Sequence, residues 1–125
     1  MQIRIANRQD EAPVRAFFEK QGKTLDLIGA DKDLHNIDQG YFGHDGLFVV
    51  AEEDGEIIGL AGARQSSDSA DVLELIRLAV SAEQKSDSTT GGAIKERMLA
   101  IIKNHAYQMD FKTIKVKDEL AALVS

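Results

Sequence analysis

The run LFVVAEEDGEIIGLAGAR, residues 47–64, leaves the chain few choices. Two apolar segments flank Asp54-Gly55, the pair that a two-residue type I′ turn prefers because both central positions need positive φ. Leu47–Glu53 and Glu56–Arg64 are therefore expected to form a β-hairpin. After a polar turn at Gln65–Asp71, Asp71–Val80 reads as a further apolar-rich strand carrying Glu74 and Arg77. Connections this short make the three strands antiparallel.

The flanks supply the rest of the layers. Gln2–Ala6 alternates apolar and polar residues and suits a first strand. Asp10 suits the N-cap of a helix that tolerates Pro13 in its first turn, with Val14, Phe17, Phe18 and Gln21 at helical spacing and Gly22 at its stop. Lys23–Gly46 is polar and punctuated by glycine, with a short helix expected around Asp31–Gln39 because Leu34 and Ile37 share a side. Downstream, Ile94, Met98, Ile101, Ile102, His105 and Met109 recur on one helical face, and Phe111–Val116 forms a last strand. The order is β-α-(α)-β-β-β-α-β, and the strand–helix–strand unit from Asp71 to Val116 should be parallel with a right-handed crossover. The fold class is α/β (α+β): a mixed, mostly antiparallel sheet with flanking helices, in a single domain over 1–125.

Composition narrows the function. A net charge of −6 and a pI near 5.0 argue against a nucleic-acid surface. The absence of cysteine excludes a disulfide framework and a thiolate metal site or nucleophile, and fits a cytoplasmic protein. No apolar run approaches membrane-spanning length, and MQIRIANRQD lacks the apolar core of a signal peptide. His35, His44 and His105 are scattered without metal-ligand spacing, so no protein-bound metal is expected.

The stretch VSAEQKSDSTTGGAIKERM, residues 80–98, joins a strand to a helix opened by two glycines. Glycines at a helix start bring backbone N–H groups close to an anion that the helix dipole favours. They are equally ordinary loop punctuation.

In order and spacing these segments resemble the GCN5-related N-acetyltransferase (GNAT) superfamily. IRIANRQD is similar to its opening strand and turn, FVVAEEDGEIIGLAGAR to its central hairpin, LELIRLAV to its fourth strand, and AIIKNHAYQMDFKTIKV to the end of its long helix and its fifth strand. The similarity covers Ile3 to Val116. It implies transfer of an acetyl group from acetyl-CoA, as acyl donor, to a small-molecule or peptide amine by direct attack. It also implies that backbone groups of Leu78, Ala79 and Val80 bond the pantetheine arm and thioester, and that the following turn cradles the pyrophosphate.

The resemblance makes Glu74 the candidate base, with burial against Leu73 and Leu75 as its tuning; the other reading is a solvent-facing carboxylate paired with Arg77 or Arg64. The phosphate motif falls in one of two registers. One runs through Lys85, Ser86, Ser88 and Thr90. The preferred one is Thr90-Gly91-Gly92-Ala93-Ile94-Lys95, which keeps Ile94, Met98 and Ile102 on the apolar face. There Thr90 replaces the family's arginine and Lys95 a small residue, so Lys95 either obstructs the pyrophosphate or pairs with it. Relatives continue past the fifth strand with a further helix and hairpin that often carry a tyrosine acid. This chain is expected to be a short member, with only KDELAALVS there and with Tyr41 and Tyr107 in other positions. Tyr41 reads as a hydrophobic anchor beside Phe42. The apolar Leu120, Ala121, Leu123 and Val124, next to an edge strand, suggest a homodimer through residues 112–124. A catalytically lapsed member, acting as a weak CoA-binding or dimerisation module, is the alternative.

Overall fold

Asp54 and Gly55 both adopt positive φ, 52° and 79°, and the hairpin they close is the centre of the sheet in a computed structural model of the chain. The structure describes residues 1–81 and 88–117, of which 88–91 by backbone alone. Strand β1 (Gln2–Ile5) leads through a 3-10 turn (Arg8–Asp10) into helix α1 (Glu11–Lys20). A long connection follows, with a 3-10 turn at Lys32–Leu34, the single-turn α2 (Ile37–Gly40) and another 3-10 turn at Phe42–His44. Then come β2 (Leu47–Glu53), β3 (Glu56–Gln65), β4 (Val72–Val80), α3 (Ser88–Gln108) and β5 (Thr113–Val116). Among the described residues the five strands lie in the order β1-β2-β3-β4-β5, antiparallel except for the parallel β4–β5 pair. The mixed, mostly antiparallel sheet with helical cover is the expected architecture.

Each face of the sheet carries its own apolar cluster. On one, α3 lays Ile94, Met98, Ile102 and Ala106 over Val49, Ala61, Leu73 and Leu75. On the other, Val14, Phe17 and Phe18 of α1 join Leu34, Ile37 and Tyr41 over Phe48, Val50 and Leu60. Phe48–Ala51 is buried at every residue, which is why β2 reads as a continuous apolar run rather than an alternation.

Several local expectations change. Asp10 stands at the N-cap of α1 as expected, but its side chain makes no capping bond there; Asn7 caps the preceding 3-10 turn, accepting from Gln9 N–H at 2.8 Å. The Asp10 carboxylate instead accepts from Asn7 N–H at 2.8 Å and pairs with Arg4 of β1 at 2.7 Å. The expected 31–39 helix is split, because Asn36 is extended at φ −143° and restarts the chain by accepting from Gln39 N–H. On α3 the buried stripe runs in steps of four from Ile94 to Ala106, leaving Ile101 and His105 at its margin and Met109 46% exposed. His105 Nε2 lies 2.9 Å from the Asp45 carbonyl. Helix α3 begins at Ser88, so Gly91 and Gly92 sit inside its first turns rather than before them.

One irregularity positions the site. Gly62 pairs with Arg77 but its neighbour Ala63 pairs with Leu75, so Ile76 is an extra residue, a β-bulge in β4. Regular alternation would send Arg77 to the α3 face with Leu75. After the bulge Leu78 and Val80 take that face, and Arg77 is turned toward α1 and the long connection.

Candidate functional site

Among the described residues, strand β4 runs past the end of its parallel neighbour. The β4–β5 ladder runs from Val72↔Thr113 to Leu75↔Val116, with Lys117 N–H donating to Leu75 O at 3.1 Å. Beyond it, Ile76–Val80 continues along β3 alone among the described residues, from the bulge to Ser81. Leu78, Ala79 and Val80, the expected thioester-binding residues, occupy this overhanging segment. An extended ligand that needs backbone N–H and C=O partners fits a strand edge of this kind.

The other expected contacts lie on α3. Ser88–Gly91 form its first turn, whose N–H groups lack intrahelical acceptors. A Cβ added to Gly92 would meet nothing within 4 Å, so the helix surface is open there. Ala93 is exposed and Lys95 half-buried, one turn further along. Thr90 and Gly91 are described by backbone only, and Lys85 and Ser86 of the other register lie outside the described residues, as do Leu120, Ala121, Leu123 and Val124.

Glu74 stands before the bulge on the face opposite Leu73 and Leu75, so those leucines do not enclose it. Its side chain is 23% exposed and lies 3.8 Å from Lys115 Nζ on β5. Arg64 is its cross-strand neighbour in register but turns away, donating to Gly40 O at 3.3 Å and resting 6.0 Å over the Tyr41 ring. The paired-carboxylate reading therefore has its cation from β5, and neither Arg77 nor Arg64 is that partner.

Arg77 has a different role, which sequence reasoning missed. Its Nη2 donates to Asp31 Oδ1 and Asp33 Oδ1, each at 2.8 Å, and its Nε to Asp33 Oδ2 at 3.0 Å. The guanidinium also lies 5.5 Å over the Phe18 ring. Tyr41 is fully buried, donates its hydroxyl to Asp33 Oδ2 and packs edge-on against Phe48. Lys23 adds a cation 3.3 Å from Asp31. Burial alone would raise the Asp33 carboxyl, but bonds from Arg77 and Tyr41 hold it below its ordinary value. Asp31, likewise opposed by burial, is brought down to about 2 by Asp26 N–H, Arg77 and Lys23. The sequence signals were Asp31-x-Asp33 and a strand arginine, but the bulge that brings them together is invisible locally.

The tyrosines differ in kind. Burial, then the Asp33 carboxylate, pushes the Tyr41 phenol well above its ordinary value, so it holds its proton in the network. Tyr41 is thus a hydrogen-bonded member of the core and more than an apolar anchor. Tyr107 is 83% exposed on α3, away from β4. Among the described residues no group of three or more His, Asp or Glu side chains is arranged to hold a metal ion, and no helix is long and apolar enough to cross a membrane.

A family model described as the acetyltransferase (GNAT) family matches residues 14–86. No curated protein matches the sequence at a significant level. Among solved structures, a GNAT-family acetyltransferase from Staphylococcus aureus aligns at TM-score 0.71 and 18% identity, over 92% of this chain and 72% of its own. The aminoglycoside acetyltransferase AAC(6')-Iy, bound to the bisubstrate analog CoA-S-monomethyl-acetylneamine, aligns at TM-score 0.70 and 15% identity, over 98% of this chain and 85% of its own. Diaminobutyrate acetyltransferase from Paenibacillus lautus, in complex with diaminobutyric acid and coenzyme A, aligns at TM-score 0.67 and 20% identity, over 92% and 63%. At these identities the likeness speaks for the fold, and the family match covers more than half of the chain.

Proposed function

This chain belongs to the acetyltransferase (GNAT) family, and from that premise we propose that it transfers an acetyl group from acetyl-CoA to a small-molecule or peptide amine. The observation that carries the reading is that, among the described residues, β4 overhangs the β5 ladder, with α3 next in the element order. In this reading the backbone of Leu78, Ala79 and Val80 holds the pantetheine arm and thioester. The N–H groups at the start of α3, with Thr90, Gly91, Gly92 and Ala93, receive the pyrophosphate, and Lys95 contributes a point charge. The pairing of CoA and amine ligands in the AAC(6')-Iy and diaminobutyrate acetyltransferase structures supports the substrate class.

Glu74 serves as the base. It takes a proton from the incoming ammonium, directly or through water, so that the nitrogen lone pair attacks the thioester carbonyl. The N–C bond forms, the C–S bond breaks, and the sulfur leaves as thiolate, which takes up the second proton shed by the nitrogen and departs as the CoA thiol, while the proton on Glu74 passes to solvent. A second reading, a lapsed member that binds CoA weakly or acts through protein contacts, draws on the Lys115 cation beside Glu74 and on Thr90 in place of an arginine.

The chain acts in the cytoplasm as a homodimer, a second copy covering the 112–124 edge. Supporting this, β5 ends the described sheet and its Ile114 and Val116 are only partly buried.

Calorimetric titration with acetyl-CoA and with free CoA tests the function. Binding should appear with thermal stabilisation, about 2.7 kcal/mol at a hundredfold excess over Kd. No heat and no stabilisation at millimolar ligand would overturn the acetyltransferase reading.

A further inference from the structure

The long connection between α1 and β2 has little regular structure of its own: two 3-10 turns and a single turn of α-helix span residues 32–44. Among the described residues two sheet arginines fasten it: Arg64 of β3 donates to Gly40 O at 3.3 Å, and Arg77, at the bulge of β4, makes the denser set of bonds. Arg77 grips Asp33 with two donors and Asp31 with one, Asp33 accepts from Tyr41, and Asp31 accepts from Asp26 N–H at 3.0 Å. Gly62, opposite Arg77 across β3–β4, makes room for this: a Cβ there would lie 2.7 Å from both the Phe48 and Tyr41 rings. Arg77 lies within the overhanging segment, next to Leu78, the first of the proposed thioester-binding residues. The same bulge therefore aims the guanidinium at the connection and sets the start of the strand edge.

We propose that Arg77 is a positioning residue for acyl transfer, locking residues 23–41 and the backbone of Leu78–Val80 into one rigid unit. The proposal rests on the acetyltransferase reading for its purpose. Leu25 and Leu27 of the connection pack against the same apolar cluster as Ile76 and Ala79 of the overhang, so in this proposal a fixed connection orients an acceptor amine that approaches the thioester from the α1 side. Arg77 acts through Asp33 on Tyr41, and Tyr41 in turn seats Arg64 away from Glu74. Arg77 and Lys23 together match the charge of the two buried carboxylates within the network.

The test is residue-resolved amide exchange by NMR on the wild-type chain, Arg77→Met and the milder Asp33→Asn, each with and without acetyl-CoA. Exchange of amides in 23–41 and at Leu78–Val80 should rise at least tenfold in Arg77→Met and at least threefold in Asp33→Asn. Those rises are taken relative to the hairpin amides of Val49–Ala51 and Leu60–Ala61, whose own rise reports the loss of global stability, so that a merely structural loss leaves the ratio unchanged. Acetyl-CoA should slow exchange at Leu78–Val80 in the wild type, and that protection should be lost in Arg77→Met. A rise shared equally by the hairpin, or no rise in 23–41, overturns the proposal, and Asp33→Asn decides the matter if Arg77→Met does not fold. Wild-type chain that shows no response to acetyl-CoA overturns the acetyltransferase reading instead, while the exchange of the free proteins still decides whether Arg77 locks the two segments.

Discussion

Arg77 and Asp33 are 44 positions apart in the chain and meet through two parallel hydrogen bonds, Nε to Oδ2 at 3.0 Å and Nη2 to Oδ1 at 2.8 Å. Their side chains are 12% and 7% exposed. A forked pair this well buried holds geometry more than it supplies net stability, but removing one partner strands the other. Arg77→Met leaves two buried carboxylates facing an apolar side chain, and should lower the unfolding free energy by roughly 3 kcal/mol. Urea denaturation measures it; a loss under about 1 kcal/mol would show that the carboxylates find water or another cation.

Acid should unfold the protein through the same groups. Asp10 is held low by Arg4 first, Asp31 sits at about 2, and Asp33 is held below its ordinary value. A carboxylate with a depressed folded value contributes stability above its unfolded value, about 4, and loses it as pH falls through the folded one. The urea midpoint should therefore hold level from pH 7 to 5, fall from about pH 4, and keep falling toward 2. Asp31→Asn should flatten that acid limb, and an unchanged limb would remove Asp31 from the account.

Gly62→Ala should be costly although the change is one methyl group. The added Cβ would sit 2.7 Å from Phe48 Cδ2 and Tyr41 Cε1, and both rings are fully buried. Overpacking of this kind costs about 1–3 kcal/mol. Differential scanning calorimetry should show the lower Tm, and near-UV circular dichroism the displaced rings.

Lys95→Ala addresses the phosphate register. With the lysine acting as a point charge on the pyrophosphate, CoA affinity should fall about tenfold, or 1.4 kcal/mol. Tighter binding in the titration would mean that the side chain obstructs the ligand.

Glu74→Gln should slow acetyl transfer about 10²-fold while leaving CoA affinity within twofold. Thiol release from acetyl-CoA in the presence of an accepted amine measures the rate. An equal rate would remove Glu74 as the base.

The homodimer expectation is checked by light scattering across concentration. A monomer at high concentration would leave the 112–124 edge without the proposed second copy.

Much of the fold was legible because its determinants are local. Asp54-Gly55 closes a hairpin through two positive φ angles that neighbouring residues do not need to enforce. The four-residue spacing of Ile94, Met98 and Ile102 writes the buried stripe of α3 into the chain, and Gly22, at φ 86°, marks the end of α1. The parallel return of β5 follows from a helix between two strands. What tertiary structure decided were pairings between residues far apart. Asp10 was free to cap a helix until Arg4 of β1 claimed it, and Glu74 met Lys115 only because β5 lies beside β4. Above all, a bulge exists only in the register between two strands, so nothing in LELIRLAV by itself turns Arg77 away from the α3 face. Pairing with β3 inserts Ile76 as the extra residue, and Asp31, Asp33, Phe18 and Tyr41 then make a charged group at that position affordable in a buried setting.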